Sequence, residues 1–146
     1  MAIKETKKRV NLSVVFIKMK IIESVELERA VISLMDNSII KIHIKEHSVV
    51  DVDDIIKFQE AKRTLIGDSI HSVLFITPKL GTLTKEAREF SAAPEVNINA
   101  KAKAIVAANL GMRILTNFFI SVNKPPILHK AFSNEKDAII WIKEIK

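Results

Sequence analysis

The stretch from Arg29 to Lys45 constrains this chain more than any other. It reads RAVISLM, then Asp36-Asn37-Ser38, then IIKIHIK. Short polar side chains tolerate the tight backbone of a turn, and the two flanking runs have the branched apolar content of strands. In the second run Ile40, Ile42 and Ile44 alternate with Lys41, His43 and Lys45. A period of two sends one set toward a core and the other toward water. The spacing predicts a hairpin that pairs residues near 30–35 with residues near 39–45.

Downstream, helical and strand patterns alternate. A helix is expected over about 52–66, with Asp51 as its N-cap and Asp53 and Asp54 at the positive end of its dipole. Val52, Ile55, Phe58 and Leu65 form its inward stripe, and Gly67 closes it. The nearly continuous apolar run Ile70–Thr77 (IHSVLFIT) marks a central strand covered on both faces, ended by Pro78. A second helix near 84–92 turns Leu83, Ala87 and Phe90 to one side, and 91–99 is a loop. An alanine-rich strand at 102–107, a helix at about 109–122 and a strand at 127–132 follow. The last helix, 134–145, places Ala138, Trp141, Ile142 and Ile145 on one face. Strands alternating with single helices predict an α/β fold. The expectation is a single mixed sheet of about five strands with an N-terminal hairpin and four helices. Val73–Ile76 should lie centrally in it, Trp141 should be largely buried, and part of one sheet face should stay uncovered.

Charge separates residues 1–20 from the domain at 21–146. Lys4, Lys7, Lys8, Arg9, Lys18 and Lys20 face only Glu5, so nearly all of the net +6 sits in this basic N-terminal extension. The body therefore lacks the basic stripe of a nucleic-acid binder. Without Tyr and with one Trp, it also lacks stacking platforms. Both observations argue against nucleic acid as a partner. In the extension Val10, Leu12, Val14 and Phe16 alternate as a strand would, while Val14, Ile17, Ile21 and Val25 suit a helix; both readings stand. Met19 heads a stretch that contains the whole domain, which makes residues 1–18 an accessory that can be deleted. The absence of cysteine excludes disulfides, thiolate metal sites and a cysteine nucleophile. No apolar segment leads to a small-residue cleavage site, so a cytoplasmic protein is expected.

Residues 104–123 approach the length of a membrane span. However, Asn109, Arg113, Asn117 and Ser121 recur every fourth position. Leu110, Ile114, Leu115, Phe118 and Val122 fall on the other side. That pattern describes an amphipathic helix of a soluble protein with a wet polar stripe, not a span.

Three segments together look familiar: KAKAIVAANLGMRILTNFF, KPPILHKAF and SNEKDAIIWIKEI. They resemble the C-terminal half of bacterial SpoIIAA-like (STAS-like) proteins. There an Ala-rich strand, a helix, a short strand ending in Phe and an acidic-start helix with Ala-x-x-Trp follow in this order. The hairpin and DVDDIIKFQEAKRTLIG match the earlier half in pattern, so the resemblance covers about 28–146. It implies a regulatory or ligand-binding module rather than an enzyme. In the anti-sigma-factor antagonists of that group, a Ser in an Asp-Ser pair after the central strand is phosphorylated. This chain departs there: it reads TPKLGTLTKEA from Thr77, and only Thr82 and Thr84 offer hydroxyls.

Candidate chemistry is sparse. Asp51, Asp53 and Asp54 suit a hard cation or, more simply, a helix cap. His43, His47, His71 and His129 have no zinc-like spacing; His43 and His47 would stand about 13 Å apart along a strand, and all four read as solvated. No nucleophile has a base implied beside it, so no catalytic residue, cofactor or metal is expected. If the strands ending at Thr77 and Ala107 are parallel neighbours, Gly81, Thr82 and Thr84 approach Asn109 and Arg113. These five residues form a candidate interaction rim outside the carboxyl ends of the strands. The expected function is a non-enzymatic regulatory or protein-interaction module, with a protein partner or a second copy of itself. The alternative is a small-molecule or lipid-binding domain, with a pocket lined by residues such as Leu80, Leu83 and Phe118.

Overall fold

The computed structural model describes residues 19–145. The strand and helix readings of residues 10–17 therefore fall outside the described residues. The hairpin forms as its alternation predicts. Strand β2 (Ala30–Met35) pairs antiparallel with β3 (Ile39–Ile44), with Met35 opposite Ile39 and Ala30 opposite Ile44. Asn37 and Ser38 take φ of 64° and 56° at the turn, a conformation that short polar side chains tolerate. One strand of the main sheet was not anticipated. Ile21–Glu26 forms β1, antiparallel to β2 across a tight turn closed by Leu27 N–H donating to Ala30 O at 2.8 Å. This also ends the helical reading through Ile21 and Val25.

Among the described residues the main sheet thus has six strands rather than about five. Its order is β1-β2-β3-β5-β7-β8, where β5 is His71–Thr77, β7 is Ala100–Ala107 and β8 is Leu128–Phe132. From β3 onward every neighbour is parallel. All seven residues of β5 are buried, as its unbroken apolar run demands of a central strand. Two further short strands, β4 (Val49–Val50) and β6 (Thr82–Leu83), pair in parallel beside the main sheet.

Right-handed crossovers between parallel strands deliver their helices to a single face. The helices α1 (Val52–Ile66), α2 (Lys85–Ser91) and α3 (Leu110–Asn123) are those crossovers. The core on the α1 and α2 side gathers Ile32, Ile40, Ile42, Phe58, Val73 and Phe75. On the opposite face α4 (Glu135–Glu144) is the one helix among the described residues and packs Ala138, Ile139 and Ile142 on Leu74, Ala104 and Val106. Lys41 Nζ, 2.9 Å from Glu135 Oε1, ties β3 to its start. Trp141 is half-buried beside Phe132, ring centroids 5.6 Å apart, rather than largely buried; Ile139 occupies the deeper position.

The acidic cluster at 51–54 works as a cap. Asp51 Oδ1 accepts from Asp54 N at 2.9 Å, Asp54 Oδ2 accepts from Asp51 N at 3.0 Å, and Arg29 Nη1 reaches both Asp54 oxygens at 3.0 and 3.1 Å. The two orphan amides at the start of α1 are thereby satisfied reciprocally. Among the described residues no helix is long and apolar enough to cross a membrane.

Helix α3 departs from its expected orientation. It buries none of its residues, and four of the five apolar residues of the sequence pattern face outward: Leu110, Ile114, Phe118 and Val122 are 59–65% exposed. The residues turned toward the sheet are Met112, Thr116, Phe119 and, partly exposed, Leu115. The four-residue spacing was correct, but the inward direction it was given was not.

Candidate functional site

Because α2 has only seven residues, it leaves sheet surface uncovered between itself and α3. A cleft of about 90 Å³ opens there. Its floor is Phe75 of β5, Lys103 and Ile105 of β7 and His129 of β8. Register explains the grouping: Phe75 lies opposite Ile105, and Lys103 opposite His129, so all four side chains share the helix-covered face. Leu83, Arg88 and Ser91 close one side, and Met112, Leu115 and Phe119 of α3 the other.

The walls are chiefly apolar, but the polar groups at the base have one sign. Lys103 is 6% exposed, yet its Nζ carries a single acceptor among the described residues, Ser91 O at 2.9 Å. That carbonyl ends α2, where the helix dipole favours a cation. Burial, and behind it Lys62, brings the Lys103 amine down from 10.5 to about 7. Lys62 on α1 is itself brought down to about 8 by burial; its Nζ donates to Val96 O at 3.1 Å. The His129 imidazole is pushed down to about 4 by burial and by Lys103, and its Nδ1 stands 3.0 Å from Ile127 O. Arg88 donates to Leu83 O at 2.7 Å. No carboxylate lines the cleft among the described residues.

The five rim residues from the sequence are placed as follows. Gly81 is buried, and an added Cβ would stand 2.9 Å from Pro78 Cγ. Thr84 caps α2, its Oγ1 accepting from Ala87 N at 3.0 Å. Asn109 caps α3 by accepting from Met112 N at 2.7 Å, and its Nδ2 donates to Lys79 O at 3.4 Å. Arg113 donates to Ala107 O at 3.0 Å. Only Thr82 is both exposed and part of the cleft. Asn109 does join the loop after β5 to the start of α3, but Thr84 and Asn109 direct their polar atoms to the backbone, and Arg113 uses one of its donors there. Among the proposed apolar pocket residues Leu83 lines the cleft, whereas Leu80 and Phe118 stand outside it, 59% and 65% exposed.

Two histidines expected to be solvated are not. His71 is fully buried, with Nδ1 2.9 Å from Ser69 O and Nε2 without a partner among the described residues; burial lowers its pKa. His129 is half-buried at the cleft floor. Sequence reasoning also missed Lys103. The signal was present: a lysine inside an alanine-rich strand flanked by two parallel strands has no wet face to point to.

Residues 32–146 match the model of a family described as a domain of unknown function, DUF7793. No curated protein matches the chain. Among solved structures it is similar to an uncharacterized protein of the DUF3478 family from Shewanella loihica PV-4, which has a SpoIIAA-like fold. The TM-score is 0.51 at 14% identity, over 85% of this chain and 93% of that one. The fold expected from the resemblance is thus SpoIIAA-like, and the likeness extends to fold alone.

Proposed function

The chain belongs to the DUF7793 family, and on that premise we propose that it is a non-enzymatic module that binds a small, partly apolar molecule beneath α3. The observation that carries this reading is the cleft itself, an apolar-walled opening over a buried lysine that has no counter-charge among the described residues. Ligand sites are typically concave, mostly apolar and fitted with a few polar groups that fix orientation. Among the described residues the main sheet adds strands in one direction with no reversal of order, so it forms no crevice of the kind used by doubly wound sheets. The opening lies under a crossover helix instead.

A second observation favours a regulatory role through a protein partner. The outward stripe Leu110, Ile114, Phe118 and Val122 belongs to the same helix that roofs the cleft. An exposed apolar stripe of this kind suits a protein contact. A molecule beneath α3 would alter the surface above it, which joins the two readings.

The test is native mass spectrometry of the protein recovered from its own cells, beside a Thr116→Trp variant that fills the cleft. A small-molecule adduct on the wild type that the variant lacks supports the proposal. An adduct-free wild type that no compound in a broad library stabilises against heat would overturn it.

A further inference from the structure

The polar floor of the cleft specifies a ligand class, an inference that rests on the reading of the cleft as a ligand site. We propose that the ligand is a single-chain monocarboxylate, its head on the Lys103 amine and its tail between the sheet and α3. An ammonium has three donors, and Ser91 O takes one of them. Burial of a charge is costly unless it is paired, and here the missing partner is an anion. Phosphate dianions fit less well, because Arg88, the other cation lining the cleft, already donates to Leu83 O and the opening of about 90 Å³ is walled chiefly by apolar side chains. Phe75 and Ile105 below, with Met112, Leu115 and Phe119 beside them, give the tail an apolar path. Head and tail requirements therefore meet in one amphipathic molecule of modest length.

Proton uptake follows from the same geometry. The charged groups around Lys103 are Lys62 from α1, Arg88 from α2 and His129 from β8, all of them cationic or neutral; α3 turns no charged side chain into the cleft. With the amine brought down to about 7, most of it is neutral at pH 8. A bound carboxylate favours the ammonium and restores its proton.

The test uses the full chain at pH 8 with three probes by titration calorimetry: octanoate, 1-octanol and acetate. Octanoate should bind at least tenfold more tightly than octanol, and acetate should not bind. Repeating octanoate in buffers of different ionisation enthalpy should show uptake approaching about one proton per molecule. Lys103→Met should lose the preference for octanoate while still binding octanol, and the wild-type proton measurement stands even if that variant misfolds. Octanol binding as well as octanoate, or octanoate binding without proton uptake, would overturn the carboxylate assignment and leave the cleft a ligand site. Failure of all three probes to bind would overturn both.

Discussion

Replacing Lys103 with methionine puts the electrostatics of the cleft to a direct measurement. The unfolded chain holds the lysine proton up to about pH 10.5, while the folded chain releases it near 7. Between those values the unfolded state binds more protons, so stability rises with pH. At about 1.4 kcal/mol per pH unit, Lys103 alone adds roughly 2 kcal/mol between pH 7 and 9. At pH 7 the cost of the buried amine, relative to an uncharged side chain, is roughly 4 kcal/mol. Methionine forfeits the hydrogen bond to Ser91 O, about 1 kcal/mol. That carbonyl is not orphaned, because Asn97 Nδ2 still donates to it at 3.1 Å. The net expectation is a variant more stable than wild type by about 2–3 kcal/mol at pH 7, with a flatter rise to pH 9. Lys62, brought down to about 8, remains in both proteins and supplies a shared residual slope. Urea denaturation at the two pH values measures both quantities. A methionine variant that is less stable at pH 7, or that keeps the wild-type rise, would refute the reasoning.

Other expectations test separate parts of the structure. The His129 ring should stay neutral until about pH 4 in a proton-carbon NMR titration; since the unfolded chain protonates near 6.5, its contribution to stability falls as pH drops from 6.5 through 4. Gly81→Ala brings a Cβ within 2.9 Å of Pro78 Cγ and 3.4 Å of Ile44 Cγ2, and should cost about 1–3 kcal/mol in chemical denaturation. Asn109→Ala removes the α3 cap and should cost about 1 kcal/mol, read the same way. Phe118→Ser should change stability by no more than about 0.5 kcal/mol, whereas Phe58→Ala should cost about 3–5 kcal/mol. Equal losses from the two phenylalanines would contradict the outward placement of α3's apolar stripe.

Legibility in the sequence followed burial. Ile40, Ile42 and Ile44 alternate because one face of β3 is core, and IHSVLFIT does not alternate because β5 is enclosed on both sides. Strand β1 escaped notice for the opposite reason. Ile21, Ile22, Glu23 and Ser24 are exposed at a sheet edge, so backbone pairing with β2 holds the strand and leaves no burial pattern to read. In α3 the periodicity was legible but its direction was not, since a helix that buries no residue imposes no inward signature. The cleft was hidden altogether. It depends on the short length of α2 and on the register that sets Lys103 beside His129, and neither is a local property of sequence.

The order of the strands bears on how the chain assembles. The six strands of the main sheet lie in the sheet in the order in which they occur in the chain. No strand has to insert between two that are already paired; each new one docks on the free edge left by its predecessor. The antiparallel meander β1-β2-β3 closes only short loops, so its entropy cost is met early. Each later parallel strand arrives with its own crossover helix to cover the surface it creates. During synthesis from the N-terminus, the finished part of the sheet can serve as a template for the next strand while the remainder is still being made. Helix α3 and β8 complete that series on the helix-covered face, which makes the cleft beneath α3 one of the last features to form.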